Sequence, residues 1–210
     1  MPPASDTSYP SDVRAALLAA ARAELLEHGT GGLSLRAIAA RAGVSRATPK
    51  WHFGNRAGLL TALAVEGFAE LHSDLRGAIK DSTDPATRFT ALGRAYMDFG
   101  LRNPDLFELM FRSAELDRDD PTLICAHREA FSTLVDTAAE TTGETAAHGS
   151  DASAVPGDIP LLAWAAAHGL VLLVHGGTLQ TLAGLATPEE ASALAHRLAH
   201  TFTEIIPASP

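Results

Sequence analysis

The sequence predicts an all-α chain of about nine helices, an N-terminal three-helix helix-turn-helix domain followed by a larger helical domain. Three observations carry that prediction. Ala and Leu dominate, and no sustained run of β-branched residues alternates with period two. Apolar residues recur at three- and four-residue steps in segments opened by Ser, Asp or Asn and closed by Gly. Clusters rich in Asp, Pro and Gly separate these segments.

Residues 1–10, MPPASDTSYP, lack the basic and apolar stretches of a secretory signal and read as a disordered tail. A first helix is expected over 13–27, capped by Ser11 or Asp12 and ended by Gly29, with Leu17, Leu18, Ala21 and Leu25 facing inward. After the loop GTGG, Ser34 caps a second helix, SLRAIAARA, whose Leu35, Ile38 and Ala39 face inward. Gly43 stops it, Val44 plugs the turn, and Ser45 caps a short third helix, SRATPKWHF. Asn55 caps a fourth helix running to about Ile79. Breaks at DSTDP (81–85), NPD (103–105), DRDDP (117–121) and the polar stretch 142–158 leave helices at 86–102, 104–115, 121–141, 159–184 and 188–206. No Asp, Glu, Lys or Arg occurs from Ile159 to Pro188, long enough to cross a bilayer. Its His168, His175, Gln180 and many Ala and Gly residues favour instead a helix buried on most sides, in a core or a subunit interface, and no membrane is expected.

The 210 residues are 46% hydrophobic and 20% charged, which excludes a disordered or fibrous chain and allows a large core without disulfides or metal. The single cysteine, Cys125, excludes an intrachain disulfide and a cysteine-based zinc site, and suits a reducing cytosol. The net charge of −9 alone argues against nucleic acid, but it hides an asymmetry. From His28 to Val65 there is no acid, whereas Arg36, Arg41, Arg46, Lys50 and Arg56 fall inside that window. Residues 1–60 carry a net +3 and the remainder −12. An acid-free basic block on an acidic chain is the footprint of a polyanion site, and the acidic remainder orients the approach.

The block coincides with the helix-turn-helix unit Ser34–Phe53, whose second helix is of the kind that enters a DNA major groove. Ala39 is small where two helices cross, and Gly43 supplies a turn that a β-carbon would obstruct. Ser34, Ser45 and Asn55 each open a helix, so backbone N–H groups and helix dipoles can face phosphates.

LSLRAIAARAGVSRATPKWHFGNRAGLL, residues 33–60, resembles the DNA-binding signature of TetR-family transcriptional regulators, and VRAALLAAARAELLEHG before it fits the same family. Trp164, His168 and Gly169 in WAAAHGLVLLVHGG resemble the Trp-His-Gly signature of one group of TetR C-terminal domains, and YMDFGLRNPDLFELMF (96–111) fits that group too. The resemblance implies a helix-turn-helix DNA-binding domain over 11–58 and an effector-binding and dimerisation domain over 59–210. It implies a cytoplasmic homodimer that binds a palindromic double-stranded operator, most often as a repressor released by a small-molecule effector. The fourth helix would link pocket to reading head.

By position, the resemblance assigns Ser34, Ser45 and Asn55 to phosphates, and Arg36 to phosphate or a base edge. It assigns Arg46, Thr48 and Lys50 to base reading, and Trp51 and His52 to the following phosphate contact. Arg56 stands where the family usually has a phosphate-binding Lys. Two departures matter: Lys50 replaces a common Tyr, and Pro49 removes one N–H from a short helix. They leave open a small-molecule-binding or protein-interaction module of the same fold with weak or lost DNA binding.

In the second half, Leu161, Leu172, Leu179 and Leu182, the small residues Gly176, Gly177, Ala183 and Gly184, and Leu194, Leu198 and Phe202 suit a dimer seam of two helices per subunit. Phe89, Met97, Phe107, Met110, Phe111, Cys125, Phe131, Trp164 and His168 are the candidates for a pocket holding a largely apolar effector. His168 with His175, and His196 with His200, lack Cys or acid partners at ligand spacing, so no metal and no cofactor is expected. No GxSxG, HExxH, Walker loop or GxGxxG after a strand is present, and the expectation is a binding protein, not an enzyme.

Overall fold

The computed structural model describes residues 10–142 and 158–205; the expected tail, apart from Pro10, and most of the 142–158 loop lie outside them. The described residues are all-α, with ten helices. These are α1 (Pro10–Gly32), α2 (Leu35–Arg41), α3 (Thr48–Phe53), α4 (Arg56–Ile79) and α5 (Pro85–Arg102), then α6 (Pro104–Arg112), α7 (Pro121–Thr142), α8 (Asp158–His175), α9 (Thr178–Ala183) and α10 (Pro188–Ile205). The extra helix arises where the sequence suggested one continuous helix over 159–184. Gly177, at φ 68°, turns left-handed, donates its N–H to Val174, and serves as the N-cap of α9.

The N-terminal elements follow their capping residues with three corrections. First, α1 already runs from Pro10, ahead of the caps expected at Ser11 or Asp12; Gly29 (φ 64°, ψ 179°) still breaks the α-helical path. Second, α3 begins at Thr48, not at Ser45. The Ser45 hydroxyl meets that of Thr48 at 2.8 Å instead of capping a helical N–H, and residues 45–48 close a turn through Thr48 N–H to Ser45 O. This resolves the difficulty of Pro49, which becomes the second residue of the helix, where its missing N–H has no intrahelical acceptor to lose. Third, α6 ends at Arg112 rather than near 115. Asn55 caps α4 as expected, its Oδ1 accepting from Gly58 N–H at 2.9 Å.

The chain divides into two compact units. One takes residues up to Gly67 together with Asp105–Ile124; the other takes Phe68–Pro104 and the residues from Cys125 onward. In the first, Leu17, Leu18, Leu25, Ile38, Leu59 and Leu63 are fully buried, while Val44 is only half-buried in the turn. The helix α6 belongs to this core because it lies close against α4. A β-carbon on Gly67 would come within 2.6 Å of Met110 Sδ. Asp117 N–H donates to the buried Thr61 hydroxyl at 3.0 Å, fastening the segment after α6 to α4.

In the second unit α5 packs on α8 and α10. Phe89, Leu92, Met97 and Phe99 of α5, Ala167, Val171 and Val174 of α8, and Ala191 and Ala195 of α10 form its centre. Each large side chain buried this way contributes about 1.5–3 kcal/mol before entropy is counted. Asp84 caps α5 by accepting from Thr87 N–H at 2.8 Å. Arg88 pairs with Glu140, joining α5 to α7. The apolar helix α8 is long enough to span a bilayer, yet it is packed along one face only. Leu162 and Leu173 stay exposed at 56% and 37%, so the expected burial on most sides is not met within one chain.

Candidate functional site

The helix-turn-helix is built as its residues demand. Ala39 is fully buried beneath the crossing, Val44 N–H bonds Ala39 O at 3.0 Å, and Gly43 turns at φ 69°. The guanidinium of Arg14 lies 5.3 Å over the ring of Phe53, holding the end of α3 against α1. Arg36, Arg46 and Lys50 are exposed, and none makes an ion pair or side-chain hydrogen bond with a described residue. Trp51 is 77% exposed, with His52 edge-on at 4.7 Å between ring centroids. Ser34 adopts the extended conformation of a cap, but its hydroxyl binds no helical N–H and stays exposed, like that of Ser45 and the side chain of Asn55.

Two cations of the acid-free block are engaged elsewhere. Arg41 donates to Glu24 at 2.8 Å and to Glu27, and the latter bond holds the Glu27 carboxyl below its ordinary range. Arg56, unlike Arg36, Arg46 and Lys50, has protein partners. Its guanidinium donates to the carbonyls of Thr30, at 2.7 Å, and Leu33, and to Glu115 at 2.7 Å. That ion pair holds the Glu115 carboxyl below its ordinary range. The sequence could not show these pairings, because the acids lie outside the block on either side.

The second unit holds an apolar cleft. Phe89, Leu92 and Tyr96 of α5, Leu134 of α7, Trp164 of α8 and Phe202 of α10 line it. Tyr96, absent from the sequence-derived candidates, organises its polar edge. Its hydroxyl accepts from Trp164 Nε1–H at 3.0 Å and lies 2.8 Å from His168 Nδ1. Burial holds the phenol far above its ordinary pKa, so it stays neutral in its bonds to Trp164 and His168. The signal was present: Phe89, Leu92, Tyr96 and Phe99 fall on one helical face.

Of the nine candidate pocket residues, Phe89 and Trp164 line this cleft and His168 joins its polar edge. Phe131 stacks edge-on against Trp164 at 5.8 Å, and Met97 is fully buried in the same unit's core. Cys125 is exposed, with its thiol 3.5 Å from Glu129, which pushes its pKa up. Phe107, Met110 and Phe111 lie in the other compact unit, where the two phenylalanine rings pair at 4.8 Å. Glu24, Glu27 and His28 gather closely enough to hold a cation, but Arg41 already occupies both carboxylates. His175 donates to the carbonyl of Gly100 at 3.1 Å, and His196 pairs with Asp98 at 3.0 Å.

Residues 17–63 match the model of bacterial regulatory proteins, tetR family, and residues 89–202, more than half the chain, match that of the tetracyclin repressor-like C-terminal domain. The chain is 30% identical over 103 residues to the HTH-type transcriptional regulator Mb1846 of Mycobacterium bovis. The aligned stretch spans 48% of this chain and 44% of that relative, less than half its length. A protein of unknown function from Rhodococcus sp. RHA1 is 31% identical, with a TM-score of 0.71 over 93% of this chain and 96% of that one. The TetR-like regulator LfrR from Mycobacterium smegmatis, solved in complex with proflavine, is 20% identical, with a TM-score of 0.58 over 90% and 95% of the two chains. That second likeness is one of fold alone.

Proposed function

The chain belongs to the TetR family of bacterial regulatory proteins, and from that premise we propose a homodimeric, ligand-responsive DNA-binding regulator. It acts in the cytoplasm as a repressor, binding a palindromic operator and released by a small, largely apolar effector. Residues 11–58 serve DNA binding, and 59–210 serve effector binding and dimerisation. The observation that carries this reading is the set of exposed cations on the helix-turn-helix. Arg36, Arg46 and Lys50 are exposed and unpaired among the described residues, beside an exposed Trp51, on an otherwise acidic chain. Leaving three unpaired cations and an indole in water has no stabilising purpose within the fold, whereas phosphates and base edges use all of them.

In this reading Ser34, Ser45, Asn55, His52 and Trp51 position the head on phosphates, Arg36 joins them, and Arg46, Thr48 and Lys50 reach bases. Arg56 acts on the loop before α2 instead of on phosphate, consistent with its three protein partners. Exposed Leu162 and Leu173 of α8, Leu182 of α9 and Leu198 of α10 support a seam with a second copy. The bridge from Trp164 through Tyr96 to His168 supports membership of the Trp-His-Gly group. The switch is a two-state equilibrium: in one state the two third helices are spaced by one turn of B-DNA, about 34–36 Å, and an effector that prefers the other state releases the operator. Selection of bound fragments from random DNA tests the proposal. A two-fold symmetric site is the expected product. An intact dimer that selects no sequence and shifts no DNA at low salt refutes it in favour of a module without DNA binding.

A further inference from the structure

Resting on the effector-pocket reading above, we propose that the ligand is an amphiphilic carboxylate, its apolar body in the cleft and its anionic head in a basic groove between α5 and α10.

The cleft itself can hold only the apolar part. Its polar groups are already committed to each other, since Trp164 gives its one N–H to Tyr96 and the Tyr96 hydroxyl turns to His168. A charged head buried among Phe89, Leu92, Leu134 and Phe202 would lose its water without gaining a donor.

Immediately beside the cleft, α5 and α10 form an open groove of a different character. Arg94 projects from α5, and His196, Arg197 and His200 project from α10. Arg94 is exposed, with its Nε 3.9 Å from Asp98, and Arg197 makes no ion pair with a described residue. Asp98 is the acid engaged here, and it is held mainly by His196 at 3.0 Å. Two guanidinium groups therefore remain to grip a carboxylate, by the paired N–H donors that suit its geometry. Residues 61–210 carry a net −12, so an anion is repelled by most of this half of the chain and drawn to this groove.

The two spaces meet. Gly93 and Ala199 line both the apolar cleft and the basic groove. A β-carbon on Gly93 would meet no atom within 4 Å, so close packing does not require glycine there. A glycine inside α5 weakens the helix. What its bare backbone provides is an opening between cleft and groove, opposite the small side chain of Ala199. A molecule with an apolar body and a terminal anion fits both halves at once; a cation or a wholly neutral molecule uses only one.

Calorimetric titration of the full chain with octanoate and with octanol tests the proposal. Octanoate should bind about tenfold or more tightly than octanol, as expected of a charge-assisted paired hydrogen bond. The double substitution Arg94→Gln with Arg197→Gln should remove that preference and leave octanol binding unchanged. Gly93→Leu should weaken both ligands, with helix content preserved by circular dichroism. Equal affinities in the unaltered protein, or an octanoate preference that survives the double substitution, overturns the carboxylate assignment while the pocket stands. Failure of both ligands to bind overturns the pocket and this proposal with it.

Discussion

Arg56→Ala separates a structural arginine from a phosphate-binding one. The side chain is 31% exposed and donates to two backbone carbonyls, Thr30 and Leu33, and to Glu115, which is 47% exposed. Removing each carbonyl bond costs about 1 kcal/mol. The ion pair, open to water at Glu115, adds about 0.5 kcal/mol. Stability should therefore fall by about 2–3 kcal/mol, read from the urea midpoint at unchanged m-value. Operator affinity should fall with it, because Thr30 and Leu33 lead into α2. Its salt dependence should not change. Were Arg56 instead bound to phosphate, the alanine variant of a dimer would neutralise two fewer phosphates. The slope of log affinity against log salt would then shrink by about 1.8, at about 0.9 per phosphate. Between 50 and 200 mM salt that difference amounts to about tenfold. The assay is operator binding across that range for Arg56→Ala beside Arg36→Ala, which should show the reduced slope. A flattened slope with unchanged stability for Arg56→Ala would refute the reasoning.

Other substitutions probe the two units separately. Tyr96→Phe removes the hydroxyl between Trp164 and His168, leaving an indole N–H without its acceptor, and should cost about 1–3 kcal/mol in thermal or urea unfolding. Gly67→Ala pushes a methyl toward Met110 and Leu106 and should cost about 1–3 kcal/mol, and less than that when introduced into a Met110→Ala background. The carboxyls of Glu27 and Glu115 are held below their ordinary values by Arg41 and Arg56. Their contribution to stability is complete above the unfolded-state pKa and is lost as pH falls through the folded one. Glu115→Gln should therefore flatten the acid limb of a stability–pH curve; an acid limb as steep as that of the unaltered protein would count against the pairing.

Local signals were legible wherever one residue decides the geometry. Gly29, Gly43 and Asn55 act where the sequence placed them, because a left-handed turn or a cap needs no distant partner. The start of α3 was misplaced because Ser45 has two options, a cap or a turn with Thr48, and only the packed Pro49 selects between them. The division of α8 from α9 depended on which of several glycines would turn left-handed. The lining of the apolar cleft was half legible for a related reason. Aromatic residues at helical spacing mark an inner face without saying which core it faces, so Phe107, Met110 and Phe111 were grouped with residues of the other compact unit. Tyr96 stood on the same face as Phe89 and was missed because a tyrosine on a buried face declares its role only through its partners.

Charge shows the same limit most sharply. Counting side chains in the acid-free window gives five cations, but Glu24 and Glu27 before it and Glu115 after it reach back to engage Arg41 and Arg56. Three cations, Arg36, Arg46 and Lys50, are left unpaired among the described residues of the helix-turn-helix. Were every cation to meet a phosphate, the block as counted would give a dimer a salt slope near −9 and the three unpaired cations per subunit about −5, at about 0.9 per phosphate; with Arg46 and Lys50 on bases the slope is shallower still. On the proposed function, a head with two of its five cations paired would hold non-specific DNA less tightly, and base reading by Arg46, Thr48 and Lys50 would weigh more in choosing a site. Glu115→Gln, which releases the Arg56 guanidinium from its acid without removing either carbonyl bond, should then raise affinity for random DNA more than for the operator. A ratio of the two affinities that stays constant would show that the acids outside the window have no part in selectivity.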